Sequence, residues 1–206
     1  MNEQQAEFVH RFNVSRETLQ KLEIYADLLR KWNKRINLVA PGTISALWER
    51  HFEDSAQLLS LAPEGVRRWT DLGSGGGFPG AIVAILAKSP NLRVTLIESD
   101  QRKAAFLRTV ARETGTKFNV VAERAEVRPD IRADAVSARA FAPLDTLLGY
   151  VDLHMKSGGI ALLPKGARAA SEVESARKTW SFTCECIPSV TDDDAAILKI
   201  GDIKRV

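Results

Sequence analysis

Apolar side chains recur every three or four positions through Leu19, Leu22, Ala26, Leu29, Trp32 and Ile36. This spacing predicts an amphipathic helix that starts from Ser15 as N-cap and ends near Asn37. Pro41 and Gly42 interrupt it, and a second helical pattern over residues 44–61 carries Leu47, Trp48, Phe52, Ser55, Leu58 and Leu59 on one side before Pro63 closes it. The period then changes. Short apolar runs at residues 66–72, 93–97, 118–121, 135–138 and 160–164 alternate with helical segments at about 79–88, 101–114, 143–155 and 168–180. Such a βα repeat implies an α/β fold with a parallel sheet covered on both faces. The tail differs: residues 182–188 and 196–200 are separated only by a polar break containing Asp192, Asp193 and Asp194, which reads as a hairpin at the sheet edge. The expected organisation is a small helical cap over residues 1–63 packed as one unit with an α/β domain over residues 64–206.

Composition narrows the class without naming a function. With 45% hydrophobic and 27% charged residues in 206, neither disorder nor a fibrous repeat is indicated. No apolar run approaches membrane-spanning length. The opening MNEQQAEFVHRF carries acidic and amide groups where a secretion signal has a basic start and an apolar stretch, so a cytoplasmic location is expected. Only two cysteines are present, Cys184 and Cys186. Two residues apart on a strand, they point to the same side, which suits two buried thiols rather than a disulfide framework, and no metal site is expected. The net charge of +3 and pI of about 8.9 permit nucleic-acid binding without demanding it. Basic residues do cluster, at Arg30, Lys31, Lys34 and Arg35, at Arg67 and Arg68, at Arg102 and Lys103, and at Arg124, Arg128 and Arg132. Any one cluster reads equally as a solvated face.

The chemistry concentrates in Asp71-Leu72-Gly73-Ser74-Gly75-Gly76-Gly77, between a strand and a helix signal. In a doubly wound sheet this loop lies at the carboxyl end of the strands, where ligands bind. Glycines there let the backbone approach a ligand and adopt positive φ. Gly75 to Gly80 also satisfies G-x-G-x-x-G, so a nicotinamide-dependent oxidoreductase is one reading of the same loop. Asp71 argues against it, because a carboxylate there repels a pyrophosphate and suits the cationic amino group of S-adenosylmethionine. Pro79 argues likewise by removing an N–H that an anion would use. Glu98, ending the next strand, is placed to accept hydrogen bonds from ribose hydroxyls, which both cofactor classes present. Ala125 and Glu126 follow the third strand, where an adenine would sit.

With these features in hand, the chain resembles the class I methyltransferases, and within them the small-subunit ribosomal RNA guanine-N7 methyltransferases, formerly the glucose-inhibited division protein B family. The resemblance rests on Trp32-Asn33-Lys34-Arg35-Ile36-Asn37-Leu38, Arg50-His51-Phe52-Glu53-Asp54-Ser55 and the loop from Asp71 to Gly80. It continues through Glu98, Arg102-Lys103 and Phe106-Leu107 to Ser137-Ala138-Arg139-Ala140-Phe141-Ala142 and Lys165-Gly166. Gly76 stands where many members have alanine, and Ala81 replaces a common isoleucine. The resemblance implies a Rossmann-like domain that uses S-adenosylmethionine to methylate N7 of guanine 527 in the decoding region of 16S rRNA, naked or within the small ribosomal subunit. By position, it places cofactor contacts on Gly73, Phe78, Ala125, Glu126 and Arg139, alongside Asp71, Gly75, Gly77 and Glu98 from the loop argument.

Guanine N7 carries an exposed lone pair, so no general base is required and catalysis rests on alignment. Arg139, after the fourth strand, is a candidate for the reacting centre, or else a salt-bridge partner of Asp71 or Glu98. His51, between Arg50 and Asp54, is a second candidate, although a lone histidine is more often structural. RNA-binding candidates are Lys34, Arg35, Arg50, Arg102, Lys103 and Lys165. Trp32 and Trp48 fit core packing better than base stacking. A non-catalytic RNA-binding or cell-division factor is the remaining alternative, and the complete cofactor loop argues against it. The chain is expected to act as a monomer.

Overall fold

The computed structural model describes residues 3–127 and 131–206. Arg128 of the last basic cluster lies outside the described residues. Helices α1 (Glu3–Phe12), α2 (Arg16–Asn33) and α3 (Asp54–Leu61) precede the sheet, with a π-helical segment, Trp48–Glu53, running into α3. Strands β1 (Arg68–Leu72), β2 (Arg93–Ile97), β3 (Asn119–Val121), β4 (Ala133–Ala138) and β5 (Met155–Lys165) then alternate with α4 (Gly80–Leu86), α5 (Gln101–Thr114) and α6 (Leu144–His154). Helix α7 (Ala169–Ala176) leads to the hairpin of β6 (Trp180–Pro188) and β7 (Ala196–Arg205). Among the described residues no helix is long and apolar enough to cross a membrane.

The sheet order is β3-β2-β1-β4-β5-β7-β6, with the first five strands parallel and β7 antiparallel to both β5 and β6. Period-two alternation divides the strand side chains between two cores. Trp69, Ala135, Leu162 and Ile197 face α2, α4 and α5, in a cluster with Leu22, Tyr25, Leu29, Ile82, Phe106 and Val110. Leu72, Val136, Ala161, Leu163 and Leu198 point the other way, onto Leu144, Leu147, Leu148 and Val151 of α6. Phe8, Leu47, Trp48 and Phe52 of the N-terminal helices belong to the first cluster, so the cap shares its core with the sheet.

The helix ends have local causes. Ser15 accepts the Thr18 N–H at 3.1 Å, the N-cap expected of it and worth about 1 kcal/mol. Helix α2 stops at Asn33, short of Asn37, because the Asn33 side chain accepts the N–H groups of Leu38 and Val39 at 2.9 and 3.0 Å and folds the chain back. Asp100 caps α5 and Gly115, at φ +64°, ends it. Helix α1 is additional to the expected elements, and of the expected helix over residues 44–61, residues 44–46 lie outside helix and Trp48–Glu53 is π-helical. The two cysteines lie on β6, the edge strand; Cys184 is half-buried and Cys186 exposed, so the expected pair of buried thiols is corrected. Trp48 is buried and Trp32 packs on Phe106 at 5.6 Å, both as core.

Candidate functional site

Strand β1 delivers the chain into the glycine loop at the carboxyl edge of the sheet. Gly73, Gly75 and Gly77 all take positive φ, at +63°, +55° and +95°. A Cβ at Gly73 would strike the Phe141 ring, and one at Gly77 the Tyr25 hydroxyl, so at both positions glycine is required by space as well as by backbone. Tyr25, fully buried on α2, stacks between Phe52 and Phe78 at 5.4 and 5.6 Å and donates its hydroxyl to the Gly76 carbonyl. Burial holds that phenol well above its ordinary pKa, which keeps it a donor.

Asp71 does not reach the surface of the loop. It is fully buried, accepts from Ser137 Oγ at 2.7 Å, and lies against Gly80 so closely that a Cβ there would sit 2.6 Å from its own Cβ. Ser137 in turn accepts from Trp69 Nε1 at 2.8 Å. Burial pushes the Asp71 carboxyl up to about 6, against the pull of the Ser137 hydrogen bond. Expected at a cationic amino group, the Asp71 side chain lies buried between β1, β4 and the start of α4. That position still disfavours a pyrophosphate, now because the carboxylate packs against the helix start that would receive it.

Above the loop lies a cavity of about 600 Å³, lined by Gly73, Gly75, Phe78, Glu98, Ala125 and Arg139 among the expected residues, together with Lys103. Gly77 is buried beneath it, and the exposed Glu126 accepts from the Tyr150 hydroxyl at 3.1 Å outside it. Glu98 is held rigidly: one carboxylate oxygen accepts from Gly75 N at 2.7 Å, the other from Asp100 N at 2.8 Å. Two walls are held by side chains from outside the loop. The loop of Asn37, Leu38, Val39 and Ala40 forms one, clamped by Asn33, whose Nδ2 also donates to the Val39 carbonyl at 3.1 Å. Ala125 forms part of the other, its carbonyl 2.7 Å from Nε2 of the buried His154. His154 has no sequence signal, being an ordinary polar residue in a helix, whereas Asn33 belongs to the string from Trp32 to Leu38.

A second cavity of about 790 Å³ lies beside the first, lined by Arg50, Asp54, Lys165, Arg168 and Thr191 among others. His51, Arg139, Ala140 and Phe141 border both cavities. Arg139 pairs with neither Asp71 nor Glu98. Its guanidinium donates to Asp54 Oδ2 at 3.0 Å, to the Arg50 carbonyl at 3.3 Å and to His51 Nδ1 at 2.9 Å, and lies 4.9 Å over the Phe78 ring. Because an arginine only donates, His51 Nδ1 accepts, Nε2–H donates to Thr43 Oγ1 at 2.7 Å, and Thr43 donates to the Ala40 carbonyl at 2.8 Å. Burial, then Arg139 and Arg50, hold His51 down at about 3, so the ring is neutral and both nitrogens are engaged. The π-helical turn carries His51 to this seam, an irregularity of the kind found at functional sites.

The basic candidates separate. Lys34, Arg35 and Arg102 are exposed, Arg102 held by Asp100 at 3.0 Å. Arg50 pairs with Asp192 at 3.2 Å on the rim of the larger cavity. Lys165 is largely covered and committed to Glu172 at 2.7 Å and the Ala142 carbonyl at 3.0 Å.

An antiparallel β7 between β5 and β6 departs from the 3-2-1-4-5-6 order of dinucleotide-binding sheets. With a glycine loop after β1 and an acid ending β2, this is the fold of the class I S-adenosylmethionine-dependent methyltransferases. Solved structures agree on that fold. The chain is similar to a TehB-like SAM-dependent methyltransferase from Corynebacterium glutamicum, with a TM-score of 0.56 and 13% identity over 86% of this chain and 97% of the other. It is also similar to the glycopeptide N-methyltransferase MtfA, with a TM-score of 0.58 and 13% identity over 73% and 93%. Sequence comparison is more specific. Residues 18–195 match the model of the GidB family, rRNA small subunit methyltransferase G, and the chain belongs to that family. It is 52% identical over 196 residues to the ribosomal RNA small subunit methyltransferase G of Ruegeria sp. (strain TM1040), covering 94% of this chain and 95% of the relative. It is 50% identical over 208 residues to that of Cereibacter sphaeroides (strain ATCC 17025 / ATH 2.4.3), covering all of both.

Proposed function

We propose that the protein transfers the methyl group of S-adenosylmethionine to N7 of guanine 527 in 16S rRNA. The observation that carries this reading is the seam between the two cavities, where the one histidine present is neutral and has both nitrogens engaged. Of the described residues that border both cavities, Arg139 is the other titratable one, and it is a permanent cation that holds Asp54 in an ion pair. An acceptor atom that already carries a lone pair fits such a site, and N7 of guanine is one.

When bound, S-adenosylmethionine supplies an electrophilic methyl carbon on a sulfonium sulfur. The smaller cavity fits it. Gly73 and Gly75 keep side chains out of the floor, and the buried Glu98 carboxylate retains acceptor capacity for ribose hydroxyls beyond its two backbone bonds. Ala125 stands at the adenine end, while Phe78 and Arg139 close the end next to the larger cavity. Arg139, fixed by Asp54 and His51, orients the acceptor and excludes water. Arg50 and Lys103, which line the larger and the smaller cavity, and the exposed Lys34, Arg35 and Arg102 serve as RNA contacts. Residues 1–63 act as the cap of one unit with residues 64–206, and the protein works as a cytoplasmic monomer.

Incubation with labelled S-adenosylmethionine and small-subunit rRNA, naked or assembled, tests the proposal. The expected result is label in 16S rRNA and a single site cleaved after reduction and aniline treatment, the reaction of N7-methylated guanine. Bound donor with no such cleavage would sink the guanine-N7 assignment.

A further inference from the structure

Phe141 is the one aromatic side chain among the exposed large apolar residues described, at 36% exposure, and it borders both cavities. Its ring is braced, not loose. One edge rests where a Cβ at Gly73 would lie, and Tyr150 meets it edge-on at 5.4 Å and 64°. The preceding residue, Ala140, takes the left-handed conformation at φ +50°, unusual without a glycine. Strain of this kind persists where a structure over-determines it, and clusters at binding sites. Here it aims an apolar ring at the seam where donor and acceptor must meet.

The acceptor has its own constraint. In A-form RNA, N7 faces a deep, narrow major groove that protein groups cannot enter. Enzymes acting on a base therefore take the nucleotide out of the stack and hold it in a pocket. At about 790 Å³, the larger cavity lies within the usual range for ligand sites, and Arg50 and Arg168 on its lining supply positive charge for phosphate. Lys165 does not serve this purpose, being committed to Glu172.

We propose that Phe141 is the stacking platform for the acceptor: an unstacked guanosine enters the larger cavity and lays its base on the Phe141 ring. The inference rests on the proposed methylation of RNA. Stacking tolerates any base, so Phe141 contributes affinity and position, and Arg139 remains beside the reacting atom.

The test compares Phe141→Leu and Phe141→Tyr by methyl incorporation into small-subunit rRNA at varied RNA concentration, with S-adenosylhomocysteine binding measured by calorimetry. Phe141→Leu is expected to lower kcat/KM for RNA about 10- to 100-fold while leaving S-adenosylhomocysteine affinity within about threefold, and Phe141→Tyr to restore most of the loss. Wild-type kcat/KM in Phe141→Leu overturns the proposal. So does a loss accounted for entirely by weaker S-adenosylhomocysteine binding, which would make the ring part of the donor site. Incorporated label is counted whichever atom bears it, so an acceptor other than guanine N7 refutes that assignment without touching this result. Wild-type protein that labels no RNA overturns both.

Discussion

The two cavities are built from different materials. The smaller is walled largely by backbone: a glycine loop, the ends of β1 and β2, and the segment of residues 37–40 that Asn33 clamps. Its supports are buried and uncharged or singly charged, with Tyr25 under Gly76 and Asp71 under Gly80. The larger is lined by charged side chains from segments far apart in the chain, and most of those charges are paired across it, as in Arg50 with Asp192, Arg139 with Asp54 and Lys165 with Glu172. A backbone floor fixes shape, which suits one small ligand of constant form. The exposed Arg50–Asp192 pair can exchange partners at little cost, which suits a polyanion arriving with many phosphates, while the covered Arg139 and Lys165 pairs hold the lining in place.

Three substitutions probe that contrast, the strongest first. Gly73→Asp places a side chain and a second acid in the floor of the smaller cavity, where Phe141 already occupies the position of a Cβ. S-adenosylhomocysteine affinity by calorimetry is expected to fall about 100-fold or more, about 3 kcal/mol, in a chain that still melts cooperatively. Unchanged affinity would remove the backbone floor from the account.

Asp71→Asn tests whether the buried acid braces the loop. The folded-state pKa of Asp71 is raised to about 6 from 3.8, so the protonated form is favoured in the folded protein. Its contribution is fully present below about pH 4 and is lost as pH rises through about 6. Between pH 4 and pH 8 the wild type should lose about 3 kcal/mol more unfolding free energy than Asp71→Asn, read by denaturant titration. Parallel profiles would show that the carboxylate carries no such burden.

Tyr25→Phe removes one hydroxyl under the Gly76 carbonyl and keeps the two ring stacks. About 1 kcal/mol is at stake, so S-adenosylhomocysteine affinity should weaken about fivefold while the KM for RNA stays within about twofold. Equal damage to both constants would erase the distinction between the cavities.

The smaller cavity was largely legible in the sequence, and the larger was not. Gly73, Gly75, Phe78, Glu98 and Ala125 follow strand ends at motif spacing, and a βα repeat places strand ends together by construction. The burial of Asp71 is not legible, because a sequence shows that an acid ends a strand and not which way its side chain is packed. His51 and Arg139 were singled out separately. Their contact joins residues 88 positions apart, and its partner Asp54 was read only as a neighbour of His51. Tyr25 carries no signal in the helical pattern, and Asn33 stands only within a family string; their hydrogen bonds to Gly76 and Val39 join segments that the sequence does not pair.

What the sequence determined by itself is whatever depends on near neighbours: strand and helix periodicity, the cap at Ser15, and the positive-φ loop that only glycines fill. These follow from local sterics and backbone hydrogen bonding, which act over a few residues. The tertiary structure decided which charges meet. Burial of Asp71, the neutral state of His51 and the partner of Arg139 each depend on elements that become adjacent only when cap and sheet share one core. Desolvation and ion pairing depend on distance in space, and folding alone sets that distance.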